Sequence, residues 1–263
     1  MTRDESRGFF GLNWAPMSDT PHSDFASHHA PPAENQDELD AVSIRDNGEP
    51  LVDLLAFGSP EKLVFAPQHP VFEFPRARLL REGVARMIAH AARELPDGLR
   101  LQIVEGYRLF AAQRAMFAHS LEEARKRFPD ADDATILREA GRFSAPPDAK
   151  TPPPHLTGGA VDLEIIDESG ARLDFSSPFE LSDHRGAAMH APGLSQTARR
   201  HRELLRAVLE PTGLTNYADE WWHWSYGDNG WALRVGAPHA LYGRVELPEN
   251  APLFGDLSKL PQQ

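Results

Sequence analysis

The chain contains no cysteine in its 263 residues. It therefore has no disulfide bonds and no thiolate to offer a metal ion, and the redox compartment stays open. Basic residues are also scarce, since 27 Lys and Arg stand against 39 Asp and Glu, which gives a net charge of -12. A charge of this sign argues against nucleic acid and anionic membrane surfaces as the main partners.

Long apolar runs are missing as well. No stretch approaches the ~20 apolar residues of a membrane-spanning helix, and residues 1–6 lack the apolar segment of a signal peptide. The hydrophobic content of 41% is ordinary for a globular protein. We therefore expect no membrane partner and a cytoplasmic location, while the sequence leaves the oligomeric state open.

The length of the chain is sufficient for one domain with a sizeable core. Residues 1–45 are mixed and polar and contain several prolines, so we predict a flexible N-terminal arm. Residues 46–263 are predicted to form a single domain.

Apolar periodicity predicts both helices and strands in this domain. A helical stripe runs over residues 80–95 and ends at Pro96-Asp97-Gly98, and alternation over residues 99–103 predicts a strand after it. Another helix begins at the capping residue Ser195 and is closed by residues 211–213. The expected fold is α+β, an antiparallel sheet with helices packed to one side, and we expect this sheet to carry the metal site described next.

Two stretches supply the residue types of a metal site. The first is His155-Leu-Thr-Gly-Gly-Ala-Val-Asp162, and the second is Glu220-Trp-Trp-His223. Together they contain two imidazoles and one carboxylate for a metal, and a second carboxylate that stays off it. This is the inventory of a catalytic zinc site with an open fourth position and a nearby base. We predict that His155, Asp162 and His223 bind Zn²⁺.

The local pattern around each stretch favours this arrangement. Alternation over residues 160–165 puts Asp162 on the polar face of a strand. The pair Gly158-Gly159 lets the chain bend, so that the first histidine returns over the same face. In the second stretch, strict alternation would put Glu220 and His223 on opposite faces. We therefore expect the glutamate in a turn and the histidine in the following strand.

These stretches resemble the motifs of the zinc D-alanyl-D-alanine dipeptidases of the vancomycin-resistance type. The family pattern is Ser-x-His-x-x-Gly-x-Ala-x-Asp, followed by Glu-x-Trp-His or Glu-Trp-Trp-His. The matching residues are His155, Gly158, Ala160, Asp162, Glu220, Trp222 and His223. Pro153 departs from the pattern, because it stands where the family has Ser. The resemblance covers roughly residues 50–235 and includes Glu105-Gly106-Tyr107-Arg108, which is similar to the family's Asp-Gly-Tyr-Arg.

The resemblance implies hydrolysis of D-alanyl-D-alanine or a similar small D,D-dipeptide, with zinc as the cofactor. It also implies that residues 46–263 form a single zinc peptidase domain. Glu220 is then the general base, which takes a proton from the attacking water and passes it to the leaving amine. Arg108 is expected to stabilise the developing oxyanion.

Three more residues are candidate substrate contacts. Glu180 stands where a family segment usually has an Asp that faces the substrate, and we expect it to bind the free amine. Tyr107 belongs to the matched Gly-Tyr-Arg segment. The family serine helps to hold the other end of the substrate, and Pro153 donates no hydrogen bond, so Thr157 or a backbone amide would have to replace it. We therefore expect strict recognition of the amine and looser recognition of the carboxylate.

Three alternatives stay open from the residues alone. The same metal site fits a carboxypeptidase or endopeptidase that cuts longer peptidoglycan stems. Two histidines and one carboxylate also form the facial triad of non-haem iron oxygenases, although Glu220 beside the metal argues for hydrolysis. A metal-binding protein without catalysis is the third. His184 and His190 are further candidate ligands, which we interpret as loop histidines.

Overall fold

The computed structural model describes residues 34–67, 69, 74–180, 183–249 and 251–255. Most of the predicted N-terminal arm, residues 1–33, lies outside the described residues. The division of the chain into an arm and one domain from residue 46 stays a prediction.

Strands and helices alternate irregularly along the described part of the chain. The strands are β1 (Leu51–Asp53), β2 (Leu63–Phe65), β3 (Leu79–Arg81), β4 (Leu99–Glu105), β5 (Ala160–Asp167), β6 (Thr215–Asn216) and β7 (His223–Ser225). The α-helices are α1 (Gln36–Ala41), α2 (Glu82–Glu94), α3 (Phe110–Arg127), α4 (Asp133–Gly141), α5 (Gln196–Leu209) and α6 (Asn229–Val235). Among these helices, none is long and apolar enough to cross a bilayer.

Five strands form the main sheet, in the order β2-β4-β5-β7-β6. Adjacent strands are antiparallel except at one edge, where β2 runs parallel to β4. Helix α2 lies between these two strands in the chain and provides the crossover that a parallel pair requires. Strands β1 and β3 form a separate antiparallel pair. The predicted α+β fold with a largely antiparallel sheet is confirmed, and the parallel edge was not foreseen.

The main hydrophobic core lies on one face of this sheet. The apolar side chains of β5 are fully buried there, contributed by Val161, Leu163 and Ile165. The same cluster contains Ile88 of α2 and Leu205 of α5, so these two helices pack on the apolar face. The alternation predicted for β5 is therefore confirmed, and its opposite face, which carries Asp162, is left for polar chemistry.

Helices α3 and α4 form a hairpin with a small core of its own, which buries Ala124, Ile136 and Ala140. The N-terminus of α4 is capped by Asp132, whose side chain accepts a hydrogen bond from the backbone N of Thr135 at 2.8 Å. Residues of this hairpin and of the proline-rich segment 144–154 line a cavity on the polar face of β5.

Residues 34–42 are attached to the rest of the chain, although their composition placed them in the arm. The carboxylate of Asp40 accepts hydrogen bonds from the backbone N and the hydroxyl of Thr151, at 2.9 and 2.6 Å. The side-chain amide of Asn229 donates to the carbonyls of Leu39 and Val42, at 3.1 and 3.2 Å. This segment contributes to the lining of the same cavity.

Candidate metal centre and active site

Strand register brings the predicted carboxylate and one predicted histidine together. Asp162 on β5 lies directly opposite His223 on β7, and Glu105 at the end of β4 is paired with Asp162 from the other side. A β-bulge between Ile103 and Glu105 shifts the register of β4 and re-aims the side chain that follows it. Directly opposed residues project their side chains to the same face. The side chains of Glu105, Asp162 and His223 therefore lie side by side on the face of the sheet opposite the hydrophobic core.

The first histidine comes from a single 3₁₀ turn, Pro154–Thr157, just before β5. Gly158 ends this turn with a φ of +70°, a left-handed conformation that favours glycine. The chain bends there as predicted, and His155 Nδ1 lies 2.8 Å from the carbonyl oxygen of Gly106. Because that carbonyl can only accept a hydrogen bond, Nδ1 carries the proton and Nε2 is left to bind a metal.

The three predicted metal ligands converge at one point. His155 Nε2 lies 3.2 Å from His223 Nδ1 and 3.3 Å from Asp162 Oδ1. His223 Nδ1 lies 2.9 Å from the same carboxylate oxygen. All three side chains are buried, and one ligand atom from each lies within 4.8 Å of the other two.

This donor set fits a catalytic zinc ion. Two imidazole nitrogens and one carboxylate oxygen are the ligands of many catalytic zinc sites, and they leave a fourth position open. Tetrahedral bonds of about 2.0–2.2 Å would separate the donors by roughly 3.3–3.6 Å. The observed separations of 2.9–3.3 Å need to widen only slightly to admit an ion.

The protonation states of the cluster also suit metal binding. Burial acts to raise the pKa of the Asp162 carboxyl, but the charges and hydrogen bonds of His155 and His223 outweigh it and hold that pKa well below its usual range. Burial is the largest influence on the pKa of His223, and that pKa is lowered although the hydrogen bond and charge of Asp162 act to raise it. An ionised carboxylate and neutral imidazoles are the forms that bind a metal.

Glu220 lies beside the cluster rather than within it. It sits in the loop before β7, as predicted, with its Oε2 3.9 Å from His223 Nδ1. Asn216 fixes this loop, because its side-chain amide donates to the carbonyls of Glu220 and His223 at 2.8 and 2.9 Å. Burial and then the charge of Asp162 raise the pKa of Glu220 well above its usual value, and Arg108 lowers it. A buried carboxyl of this kind can both accept and release a proton.

Arg108 is held rigidly in the same cavity. Its Nε lies 3.1 Å from both carboxylate oxygens of Glu105, and its Nη2 donates to the same carboxylate. Its Nη1 donates to Gln113 Oε1 at 2.8 Å, and Gln113 donates to the carbonyl of Ala145 at 2.7 Å. Burial acts to lower the pKa of Arg108, but the charge and hydrogen bonds of Glu105, together with the charges of Asp162 and Glu220, outweigh it and raise that pKa. Sequence analysis included Glu105 in the matched Glu-Gly-Tyr-Arg segment without giving it a role, and it did not single out Gln113.

Two of the predicted substrate contacts do not line the cavity. The hydroxyl of buried Tyr107 donates to the carbonyl of Val245 at 2.8 Å, because the side chain packs toward the C-terminal segment instead of following its neighbour into the site. The hydroxyl of buried Thr157 donates to the carbonyl of Pro154 at 2.6 Å and accepts from the backbone N of Gly159 at 3.0 Å. That hydroxyl stabilises the turn before β5, so it does not replace the family serine.

The third predicted contact is not brought to the cavity either. Glu180 is exposed, and its carbonyl accepts a hydrogen bond from the backbone N of Asp183 at 3.0 Å. Asp183 and His184, which follow it in the chain, line the cavity instead. His190 is exposed, and neither it nor His184 belongs to the ligand cluster.

The cavity over the site has a volume of about 1010 Å³. Much of its wall is apolar, contributed by Met116, Phe117, Phe143, Pro146, Pro153 and Trp222. Small-molecule sites typically range over about 300–1,000 Å³, so this volume lies at the upper end of that range.

Comparison with known proteins agrees with this site. Residues 75–240, which include the ligand cluster, Glu220 and Arg108, match the family described as D-ala-D-ala dipeptidase. The chain is 29% identical to a D-alanyl-D-alanine dipeptidase of Synechocystis sp. over 241 residues, which covers 78% of this chain and 96% of the relative. Shorter matches occur to D-alanyl-D-alanine dipeptidases of Escherichia coli and Enterococcus faecium. The first is 38% identical over 26% of this chain and 35% of the relative, and the second 33% identical over 28% and 37%.

The family match extends over 166 of the 263 residues. It covers β3 to β7 without interruption, and with them every strand that contributes to the ligand cluster. The chain belongs to the D-alanyl-D-alanine dipeptidase family of peptidases.

Proposed function

We propose that this protein is a zinc-dependent dipeptidase that hydrolyses D-alanyl-D-alanine or a similar small D,D-dipeptide. The observation that carries the proposal is the convergence of His155, Asp162 and His223, with Glu220 standing off the cluster in a buried cavity. Membership of a peptidase family supports hydrolysis over the oxygenase chemistry that the same ligand types permit.

The residues that would hold the ion are His155 through Nε2, His223 through Nδ1 and Asp162 through Oδ1. When bound, Zn²⁺ supplies Lewis-acid chemistry that activates water and polarises the peptide carbonyl. The carbonyl of Gly106 orients His155, and such supporting hydrogen bonds contribute substantially to metal affinity.

Glu220 is the proposed general base. Its carboxylate accepts a proton from the attacking water and then delivers that proton to the nitrogen of the leaving amine. Burial raises the pKa of Glu220, which makes its carboxylate a stronger acceptor for the proton of the attacking water in the first step. Asn216 holds the backbone of the loop, so the carboxylate keeps its position during the transfer.

Arg108 is the proposed electrostatic stabiliser of the transition state. Its guanidinium lines the cavity and stays charged because Glu105 is paired with it. Glu105 and Gln113 together fix the plane of the guanidinium. A preorganised cation of this kind stabilises negative charge on the carbonyl oxygen without reorganising during the reaction.

Metal content and hydrolysis together test the proposal. The purified protein is expected to hold about one Zn²⁺ per chain and to release D-alanine from D-alanyl-D-alanine. A chelator should stop hydrolysis because it removes the ion. Added Zn²⁺ should restore hydrolysis because the three protein ligands remain in the chain and bind the ion again. Elemental analysis and an assay of released amine give the two readouts. Protein without a metal would contradict the site, and metal-loaded protein that cleaves no D,D-dipeptide would contradict the dipeptidase.

The volume of the cavity favours one second candidate, a D,D-carboxypeptidase or endopeptidase that acts on longer peptidoglycan stems. A cavity of about 1010 Å³ has room for more than two residues. Hydrolysis of the free dipeptide is therefore compared with that of its N-acetylated form and of a pentapeptide stem. Equal rates on the three would establish the second candidate, and a strong preference for the free dipeptide would establish the first.

Arg108→Ala is expected to lower kcat by about 10²- to 10³-fold and to raise KM much less. The reason is that the charge of the guanidinium is needed mainly in the transition state. Steady-state kinetics on D-alanyl-D-alanine separates the two constants. Because the substitution leaves Glu105 buried without its partner, Arg108→Lys and a thermal melt serve as controls for folding. A rise in KM with unchanged kcat would make Arg108 a substrate anchor instead.

A further inference from the structure

A second charged pair lies on the same face of the sheet as the metal ligands. Glu164 is two residues beyond Asp162 on β5, so the two side chains share a face and their Cα atoms are about 6.6 Å apart. Arg172 lies opposite Ile166 in an isolated antiparallel bridge, further along the same strand. Both Glu164 and Arg172 line the cavity, and the catalytic steps proposed above use neither.

Several hydrogen bonds hold the Glu164–Arg172 pair. Arg172 Nε and Nη2 donate to Glu164 Oε2 at 2.6 and 2.5 Å, and Gln102 donates to Glu164 Oε1 at 2.7 Å. His69 Nε2 lies 3.5 Å from Glu164 Oε1. Only 2% of the Glu164 side chain is exposed, against 30% of the Arg172 side chain. The carboxylate therefore holds one edge of the guanidinium, and the Nη1 edge keeps N–H donors for a ligand in the cavity.

The free carboxylate of a dipeptide needs a donor in this cavity, and neither Pro153 nor the hydroxyl of Thr157 offers one. Pro153 has no N–H, and the hydroxyl of Thr157 is engaged in the turn before β5. Four other arginines line the cavity, each with an acidic partner: Arg108 with Glu105, Arg138 with Glu139, Arg142 with Asp219, and Arg234 with Glu34. Arg172 differs from these four because its carboxylate partner lies on β5 itself, two residues beyond Asp162.

The distances along β5 suit a dipeptide. The carboxylate carbon lies one residue beyond the scissile carbonyl, which is about 3.5 Å in an extended chain. A guanidinium–carboxylate contact adds an N–O separation of about 2.8 Å. The sum of roughly 6–7 Å equals the spacing of two residues along one face of a strand. Because Asp162 and Glu164 project side by side from one face of β5, this spacing allows a peptide carbonyl at the ligand cluster and its carboxylate at the guanidinium that Glu164 holds.

We infer that Arg172 binds the free C-terminal carboxylate of the substrate and determines specificity for it, with Glu164 as its positioning residue. The inference rests on the proposed function, since it concerns the same dipeptide. A planar guanidinium matches a carboxylate through two parallel hydrogen bonds. The site then recognises the carboxylate strictly, which departs from the loose recognition that Pro153 suggested from the sequence.

The test compares D-alanyl-D-alanine with its C-terminal amide. The wild-type protein is expected to prefer the free acid by about 10- to 100-fold in kcat/KM, the range of charge-assisted hydrogen bonds. Arg172→Gln should remove that preference by raising KM for the free acid, while kcat/KM for the amide stays the same. Arg200→Gln, at an exposed arginine of α5, is the matched control and should leave both values unchanged.

A second set of variants controls for loss of folding, because Arg172→Gln leaves the buried carboxylate of Glu164 without its partner. The double variant Arg172→Gln, Glu164→Gln removes both charges together. In the Glu220→Gln background, where the dipeptide stays uncleaved, calorimetry measures binding directly. That protein should bind the dipeptide about 10- to 100-fold more tightly than the amide, and adding Arg172→Gln and Glu164→Gln should abolish the difference. Metal content and thermal melts accompany each measurement.

The outcomes separate this inference from the function on which it rests. Equal kcat/KM of the wild-type protein for the dipeptide and its amide would overturn the role of Arg172 and leave the dipeptidase standing. An equal loss on both substrates in well-folded, metal-loaded Arg172→Gln protein would overturn it as well. If the wild-type protein cleaves neither substrate, the proposed function fails, and the calorimetric difference between dipeptide and amide still decides whether Arg172 binds a carboxylate.

Discussion

Glu220→Gln protein is expected to keep its zinc and to lose hydrolysis by about 10²- to 10⁴-fold, the usual contribution of a general base. Glutamine has nearly the same shape as glutamate but accepts no proton at neutral pH. The backbone of the loop should stay in place, because Asn216 binds the carbonyls of Glu220 and His223 rather than the substituted side chain. Hydrolysis of D-alanyl-D-alanine and elemental analysis on the same preparation give the two readouts.

Glu220→Gln is informative because it is expected to lose hydrolysis while it keeps its zinc. Glu220 Oε2 lies 3.9 Å from His223 Nδ1, while the three ligand atoms lie within 3.3 Å of one another. Glu203→Gln, at an exposed glutamate of α5, is the matched control and should leave metal and activity unchanged. Loss of zinc together with activity in Glu220→Gln would mean that Glu220 is a ligand. Retained activity would mean that another group is the base.

The metal cluster was predictable because its signals are local. Asp162 lies on the polar face of β5 because its neighbours Val161 and Leu163 are apolar, and alternation fixes which way each side chain points. The bend at Gly158 and the loop position of Glu220 also follow from a few adjacent residues. The resemblance to a known family then indicated which of these residues act together.

The supporting contacts of Arg108 were not predictable in this way. Glu105 reaches the site only because a β-bulge shifts the register of β4, and no sequence pattern marks that bulge. Gln113 is buried on α3 and is fixed by the carbonyl of Ala145, which is 32 residues further along the chain. Pairing of this kind depends on how the α3–α4 hairpin and the proline-rich segment meet, and alternation in the sequence carries no information about it.

Loop geometry explains the substrate contacts that the structure does not bring together. The resemblance placed Glu180 near the substrate, but its side chain is exposed, and the backbone N of Asp183 donates a hydrogen bond to its carbonyl. Asp183, three residues further along the chain, lines the cavity instead. Tyr107 was assigned by its neighbour Arg108, although adjacent residues at a strand end project in different directions.

The attachment of residues 34–42 depends on contacts that are distant in the sequence. Asp40 binds Thr151, which is 111 residues away, and Leu39 accepts a hydrogen bond from Asn229, which is 190 residues away. A polar, proline-containing composition predicts an arm because it buries little apolar surface. Here polar contacts to two separate segments hold residues 34–42 in place, and amino-acid composition gives no information about such contacts.

His223→Ala is expected to lose zinc and activity together, in contrast to Glu220→Gln. The imidazole supplies one of three protein ligands, and it lies directly opposite Asp162, so alanine leaves only His155 and Asp162 at the cluster. Catalytic zinc sites rely on three protein ligands. Hydrolysis should therefore fall by at least about 10³-fold, since both the activation of water and the polarisation of the carbonyl depend on the metal.

Thermal melts with and without a chelator decide whether His223 acts through the metal. A ligand that binds only the folded state raises its stability, so a chelator should lower the Tm of the wild-type protein and of Glu220→Gln. The Tm of His223→Ala should not respond to the chelator, because that variant has no ion to lose. His190→Ala, at an exposed histidine outside the cluster, should behave like the wild type in both assays. A His223→Ala protein that keeps a full complement of zinc would remove His223 from the ligand set and, with it, the site proposed for this family member.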